Sequence, residues 1–397
     1  LEVDLKSFET HMQKQRDDAR ASWKGSGDKI SEEVWFKIKN KVGSTNFSGY
    51  DKTQSEGKIL AILIEGKEIQ NADAGDKVDL ILSNTTFYGE SGGQVGDTGE
   101  IKTNNNCVIS VEDTVKYLED LYVHRSVIRS GRVSKGDKVT SFVDQKRRKN
   151  LAANHSATHL LHSALRQVLG DHVTQKGSLV SDDKLRFDIS HPNQISNKEI
   201  FKIENIVNSE IRLNQSVNTD IMDSEKAFKS GALALFGERY SEKVRVVSMG
   251  SEYLSGGYYS SELCGGTHVN RTGDIGFFKI INETSVSSGV RRIEALTGEK
   301  AIKSIQENEI IVMDILNELK TSKVDIKNKI NSLIDQKKEL DIQLSKLKNQ
   351  KKNSNEDQNK YIKNINGLSF YNRKLKNYDS ADVRNIVDNA KKIIQSG

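Results

Sequence analysis

The residues best suited to chemistry stand in two short groups. The first, Asn154-His155-Ser156-Ala157-Thr158-His159-Leu160-Leu161-His162, carries two histidines four positions apart. Leu160, Leu161, Leu165, Val168 and Leu169 recur at helical spacing, so His155 and His159 stand one turn apart on one helical face. Two imidazoles placed that way can grip one metal ion. The second group, Cys264-Gly265-Gly266-Thr267-His268, adds a thiolate and an imidazole, with two glycines that let the backbone wrap closely. HxxxH with CxxxH is a zinc-type ligand set, because mixed nitrogen and sulfur donors suit that ion. The plainer reading makes them core or surface histidines and a buried thiol; four suitable donors, paired, outweigh it. Four protein ligands would close a structural tetrahedron, whereas three would leave a position open for catalysis. His162 falls out of phase with the ligand face and is expected to pack or to hydrogen-bond.

The elements that must carry these groups follow from pattern and composition. The 397 residues could hold two or three domains, and an apolar share of 35% suffices for globular cores. No apolar run approaches membrane-spanning length, so no membrane partner is expected. Cys107 and Cys264 form no disulfide framework, which fits a reducing, cytoplasmic setting. The net charge of +5 is uneven: residues 301–397 hold 19 Lys and Arg against 13 Asp and Glu, and the other 300 residues hold 41 against 42. The basic tail suits an acidic partner such as nucleic acid, or is simply a solvated lysine-rich face.

Residues 1–32 read as a charged helical linker, Leu5, Phe8 and Met12 setting the spacing, and as the end of something larger. From 33 to 150, short alternating runs at Lys58–Ile64, Lys77–Leu82, Val108–Val111, Leu121–Ile128 and Lys138–Val143 predict strands closing into a small antiparallel β-barrel. Within it, Thr86–Gly99 is rich in glycine and lets a backbone approach a ligand or another element. It lacks the lysine and the strand–helix context of a phosphate loop.

Residues 151–300 hold both ligand groups in an α+β pattern. A helix over 152–169 ends at Gly170, a turn at Val173–Ser178 carries Gln175, and strands follow at Leu185–Ile189, Val244–Ser248, Gly276–Ile281 and Val290–Ala295. Ser196 with Glu199 predicts a capping box for a second helix. Over 301–358 a long helix begins after Thr297, with Ile305, Val312, Leu319, Ile326, Leu333, Leu340 and Leu347 recurring every seven residues. Only half of the companion positions are apolar, so the seam fits a helical hairpin or a weak homo-oligomer. Residues 359–397 predict a hairpin turning at Asn366-Gly367 and one last helix, a truncated α/β piece. The fold class expected is therefore α+β: a small β-barrel, a zinc-containing α+β domain, coiled-coil helices and part of a terminal domain.

His155-Ser156-Ala157-Thr158-His159, Cys264–His268, Phe87–Asp97, Gln175-Lys176-Gly177-Ser178-Leu179 and Arg291–Ala295 together resemble the editing domain of bacterial alanyl-tRNA synthetase. The head, Phe8 to Arg20, is similar to the linker leaving that enzyme's aminoacylation half. The tail around Val383–Asp388 is similar to the start of its C-terminal tRNA-binding domain. Gly256-Gly257-Tyr258-Tyr259 looks like a small insertion, and the synthetase's ATP-binding motifs are absent. The resemblance implies hydrolysis of seryl- or glycyl-tRNA(Ala) with zinc as cofactor, without aminoacylation. It implies that His155, His159, Cys264 and His268 hold the metal, that Thr158 and Gln175 line the pocket as catalytic residues, and that Gly92, Gly93 and Gln94 bind substrate. The residue-level alternatives are a helix hydroxyl bonded to a backbone carbonyl for Thr158 and a plain loop residue for Gln175. Rival functions are a free-standing aminoacyl-tRNA deacylase, a tRNA-binding and oligomerisation module with structural zinc, and a hydrolase using Cys264 as nucleophile.

Overall fold

A computed structural model describes residues 32–233, 242–252, 257–353, 358–376 and 380–394. Apart from Glu32, the helical linker expected over residues 1–32 lies outside them, as does Gly256 of the expected insertion. The described residues up to Gln306 form one compact unit and those from Glu307 onward a second. Helix α1 (Glu32–Val42) precedes six barrel strands: β1 (Gln54–Ile64), β2 (Lys77–Leu82), β3 (Gly99–Thr103), β4 (Val108–Tyr117), β5 (Leu121–Ser130) and β6 (Lys138–Val143). They pair in the order β6-β3-β4-β5-β2-β1, and β6 also pairs antiparallel with β1, which closes the barrel. Val78, Leu80, Leu82, Ile101, Ile109 and Val139 fill one cluster with the fully buried Phe87. Ile59–Ile64 reads as a continuous apolar run because both of its faces are covered. Ile59 and Ile62 join that cluster, and Ala61 and Leu63 pack with Trp35 and Ile38 of α1. Each fully buried large side chain contributes about 1.5–3 kcal/mol relative to exposure. The β3 strand went unpredicted: five residues with two charges carry little pattern until β4 and β6 flank them.

Helix α2 (Gln145–Leu169), which carries His155 and His159, starts seven residues before the expected Ala152, with Asp144 accepting the Arg147 N–H as N-cap. Its first turn, Gln145-Lys146-Arg147-Arg148, has no apolar period to read. Arg148 is nevertheless buried, and its guanidinium bonds Asp97, Gly49 O (2.6 Å) and Thr86 O (2.7 Å). That one side chain ties the helix to the barrel.

Two sheets complete the first unit. The first takes β7 (Gln175–Val180) and β8 (Leu185–Ser190), then the later pair β12 (Phe278–Ser287) and β13 (Val290–Thr297), in the order β7-β8-β13-β12. The stretch expected as a turn at Val173–Ser178 is thus largely strand; a register shift between Gln175 and Gly177 had blurred its alternation. Helix α3 (Asn197–Arg212) opens with the expected Ser196–Glu199 capping box. The second sheet orders β9 (Asn218–Asp223), β10 (Lys243–Glu252) and β11 (Tyr258–Leu263). A short α4 (Ser224–Lys229) follows β9. The core of this half joins Leu160, Leu161 and Leu165 of α2 to Phe187, Ile203, Val207, Phe278 and Ile293.

The helical stretch expected after Thr297, with a seam fitting a hairpin or a weak homo-oligomer, is two helices, α5 (Gly298–Glu318) and α6 (Ile326–Asn353). Between them Lys320 takes φ +49°, and Ser322 and Asp325 bond each other's backbone and side chain. Such local bonds compete with the helix, and the seven-residue repeat runs across the break undisturbed. Leu333, Leu340 and Leu347 on α6 are 41%, 59% and 62% exposed, so the heptad row is not buried within the chain. A hairpin of β14 (Ile362–Ile365) and β15 (Leu368–Tyr371) turns at Asn366 and Gly367, both with positive φ, as the type I′ turn requires. Helix α7 (Ser380–Ile394) ends the described residues. Among them, no helix is long and apolar enough to cross a membrane.

Candidate metal centre

Helix α2 presents His155 and His159 side by side, their rings stacked 5.3 Å apart between centroids. Cys264 follows directly on β11, and His268 closes the loop beyond it. One ligand-type atom from each of these four residues lies within 4.8 Å of the others. Sγ of Cys264 is 3.3 Å from Nε2 of His155 and 3.2 Å from Nε2 of His268. The loop reaches this close because Gly266 has no side chain: a Cβ there would stand 2.0 Å from Cε1 of His155.

The outer nitrogens of the three rings are all engaged. Nδ1 of His155 meets Oε1 of Gln94 at 2.7 Å, Nδ1 of His159 meets Oε2 of Glu262 at 2.7 Å, and Nδ1 of His268 meets Oγ of Ser156 at 3.1 Å. Oxygen partners on Nδ1 favour the tautomer with the lone pair on Nε2, which is how second-layer groups orient metal-binding imidazoles. Nε2 of His159 is buried and has no hydrogen-bond partner. An unpaired buried nitrogen is costly unless something else satisfies it. An N₃S donor set with converging Nε2 atoms and one orphaned nitrogen fits zinc.

The charges agree. Burial works against the Cys264 thiolate, but His155, His268 and His159 hold its pKa well below the usual thiol range. Burial likewise opposes the Glu262 carboxylate, yet His159 and His162 bring it down to about 2. Burial works against a protonated His159, but Glu262 and Cys264 raise it to about 10, so with no cation bound this imidazole carries the balancing positive charge and a metal would displace its Nε2 proton; burial pushes His268 down to about 3. One thiolate and one carboxylate at a buried site match the charge of a divalent cation.

The other expected site residues are placed less simply. Gly92 and Gly93 form the two-residue turn of a hairpin in which Ser91 and Gln94 exchange backbone bonds, both glycines at positive φ. A Cβ on Gly93 would also stand 2.7 Å from Ser178 O. The doublet's work in the fold is to deliver Gln94 inward. Gln94 is fully buried: its Oε1 also accepts the Thr267 N–H at 2.9 Å, and its Nε2 donates to Thr267 Oγ1 at 2.9 Å. Its amide thus joins His155 to the ligand loop. The Thr158 hydroxyl donates to Asn154 O at 2.9 Å. Gln175, half-buried, begins β7; the far end of that strand, Val180, bridges Gln94. Five extended residues separate the two ends by roughly 16 Å.

Sequence reasoning missed Glu262, Arg245 and Tyr50. Glu262 carried a usable signal: it lies two before Cys264 at the end of a strand, so both share one face. Its Oε1 also accepts from His162 Nδ1 at 2.8 Å, which explains that out-of-phase histidine. Arg245, on β10, donates to Cys264 O (2.8 Å) and Gly266 O (3.0 Å). Its guanidinium lies 4.2 Å from the ring centre of Tyr50, whose hydroxyl donates to Gly265 O at 2.8 Å. Tyr50 comes from a loop more than 200 residues upstream, with no sequence pattern to betray it.

Two protein families match separate parts of the chain. Residues 244–294 match the second additional domain of threonyl and alanyl tRNA synthetases, and residues 1–147 match the class II (A) tRNA synthetases. The first match spans β10, β11, the Cys264–His268 loop and β12. Along its whole length the chain is a homologue of alanine–tRNA ligases. It is 45% identical to that of Parvibaculum lavamentivorans over 402 residues and 44% identical to that of Sinorhizobium medicae over 401. In both cases the match takes in 100% of the chain and 45% of the relative, so the chain spans about half the length of these curated relatives.

Proposed function

We propose that this chain edits: it hydrolyses the ester linking serine or glycine to tRNA(Ala), at a zinc ion held by His155, His159, Cys264 and His268. The observation that carries the reading is the convergence of three Nε2 atoms and one thiolate, with each outer nitrogen tied to a protein oxygen. When bound, zinc would supply a Lewis acid for an ester carbonyl or a water, with three of the four donors holding it and the fourth position open, or with a fifth position added. The chain's own groups do the rest. Gln94, Glu262 and Ser156 fix the three rings, Arg245 and Tyr50 hold the ligand loop, and Thr158 offers a hydroxyl beside the histidine pair. Cys264, surrounded by imidazoles, serves as ligand, which argues against a free thiol nucleophile.

The tRNA partner is supported by the relatives' name, alanine–tRNA ligase, and by the basic excess over residues 301–397. The exposed heptad row of α6 supports a coiled-coil contact with a second copy. A second reading, structural zinc in a tRNA-binding module, draws on the same four donors, which suffice to close a tetrahedron. Incubating the purified chain with seryl-tRNA(Ala) and measuring release of serine separates the two. We expect cleavage well above the uncatalysed rate, about one zinc per chain, and loss of cleavage on chelation. Stoichiometric zinc without cleavage would favour the structural module.

A further inference from the structure

We infer that Asn154 is a positioning residue for the cleavage: its amide sets the roll of α2 about its own axis, and with it where His155, His159 and the Thr158 hydroxyl point. The inference rests on the editing reading. Asn154 stands one residue before His155 and four before Thr158, whose hydroxyl bonds its carbonyl. Its side chain is buried, 2% exposed, and leaves the helix toward the sheet of β7, β8, β13 and β12. Nδ2 donates to Ser181 O at 2.8 Å, and Oδ1 accepts from Thr297 Oγ1 at 2.7 Å. A carboxamide offers a donor and an acceptor on one planar group. The leucines of α2 resist separation from the core, but apolar contact is non-directional. Two hydrogen bonds on one side chain fix an angle.

Both anchors are themselves held. Ser181 opens the turn between β7 and β8, where its hydroxyl accepts the Lys184 N–H at 3.2 Å. Arg147 Nε donates to Asp182 Oδ1 at 3.1 Å, and Lys300 of α5 donates to Asp182 O at 3.0 Å. Thr297 ends β13, directly before α5. The side chains of His155, Ser156 and His159 bond instead to the barrel hairpin, the ligand loop and β11. Asn154 therefore ties this stretch of α2 to the sheet. A small roll would matter. An atom about 6 Å from the helix axis moves about 1 Å for a roll of about 10°. Misplacing a reacting group by about 1 Å can cost about 10²-fold in rate.

Thr297→Val removes one of the two bonds without touching α2, and Thr297→Ser keeps the hydroxyl. In cleavage of seryl-tRNA(Ala) by the whole chain, the valine variant should lose about tenfold in kcat with KM unchanged. The serine variant should regain the parent's kcat. Asn154→Ala should lose more, up to about 10²-fold. The second readout is the visible spectrum of the chain loaded with Co²⁺, whose bands follow ligand geometry and need no substrate. The bands should shift in Thr297→Val and Asn154→Ala and stay in place in Thr297→Ser. A merely structural bond would lower the unfolding midpoint of the valine and alanine variants and leave kcat and the bands at parent values. That result, or equal losses in the serine and valine variants, would overturn the assignment. The editing reading fails separately: if the parent cleaves no charged tRNA while the bands still shift in Thr297→Val and not in Thr297→Ser, Asn154 positions the ligand helix and the hydrolase falls.

Discussion

Oε1 of Gln94 lies 2.7 Å from Nδ1 of His155, so a barrel hairpin fixes the ring of a candidate metal ligand 61 residues away. The same oxygen accepts from the backbone of Thr267, inside the other ligand group. One carboxamide therefore spaces the two halves of the donor set, and the positive-φ turn at Gly92-Gly93 exists to place it.

Gln94→Met keeps the volume and removes all three bonds of the amide. Zinc affinity, measured by competition against a chromogenic chelator, should fall about 10- to 100-fold, the usual cost of losing a second-layer partner. Unchanged affinity would reduce Gln94 to packing.

Glu262 binds two imidazoles with its two oxygens. Glu262→Gln retains an acceptor for only one of them, whereas Glu262→Leu leaves two buried N–H groups unpaired. Zinc affinity should fall in the order parent, Gln, Leu, with His162→Phe milder than either because His162 is no ligand. If His162→Phe is as damaging as Glu262→Leu, then His162 belongs to the donor set itself.

The barrel and the ligand helix were legible to different degrees, for physical reasons. The candidate ligands and the α3 capping box stood out because their chemistry is local and their spacing periodic. Five of the six barrel strands were visible through alternation; β3 gained its identity only from its neighbours. The first turn of α2 was hidden because Arg148 is buried by an ion pair rather than by apolar surface. Tyr50 and Arg245 act across long sequence separations through backbone carbonyls, which any residue supplies. The heptad repeat marked a row of apolar residues without locating the break at 319–325, since a repeat records side chains and not the turn between them.

Arg148 and Asp97 form the buried ion pair that joins helix to barrel, with Nε 3.0 and 2.9 Å from the two carboxylate oxygens. Arg148→Met strands a buried carboxylate and should cost about 3–5 kcal/mol in denaturant unfolding. Arg148→Met/Asp97→Asn should recover part of that loss, because the amide oxygen can still accept the Tyr88 N–H that Asp97 binds at 2.7 Å. Additive losses would show that the charge itself is not what matters.

His124, buried inside the barrel, bonds Thr85 Oγ1 at 2.7 Å and Leu80 O at 3.0 Å. Burial pushes its pKa down from 6.5 to about 4. Its folded pKa lies below the unfolded one, so the unfolded chain takes up the proton first as pH falls. Stability should therefore drop progressively from about pH 6.5 to about pH 4, by about 3 kcal/mol for this group. His124→Gln should remove that part of the pH dependence in unfolding curves recorded across this range. A slope identical to the parent's would assign the acid sensitivity to other groups.

The last prediction concerns how serine is told from alanine, and it rests on Thr158. The two amino acids differ by one hydroxyl, and a pocket large enough for serine admits alanine. Preference must come from a partner for that hydroxyl, because a site whose polar group is left unpaired rejects the analogue. Zinc alone would treat the two esters alike. The Thr158 hydroxyl already donates to Asn154 O, so its remaining capacity is as an acceptor, and the serine O–H is a donor. Thr158→Val preserves the shape and removes the acceptor, while the helix keeps its own backbone bonds. A neutral hydrogen bond is worth about 0.5–1.5 kcal/mol net, so the ratio of seryl- to alanyl-tRNA cleavage should fall by up to about tenfold, with zinc content unchanged. Gln175→Leu, made in parallel, distinguishes the alternative reader: its residue starts β7, away from the bridge at Val180. If the ratio moves only in the Gln175 variant, the serine hydroxyl is read from the strand and not from the ligand helix.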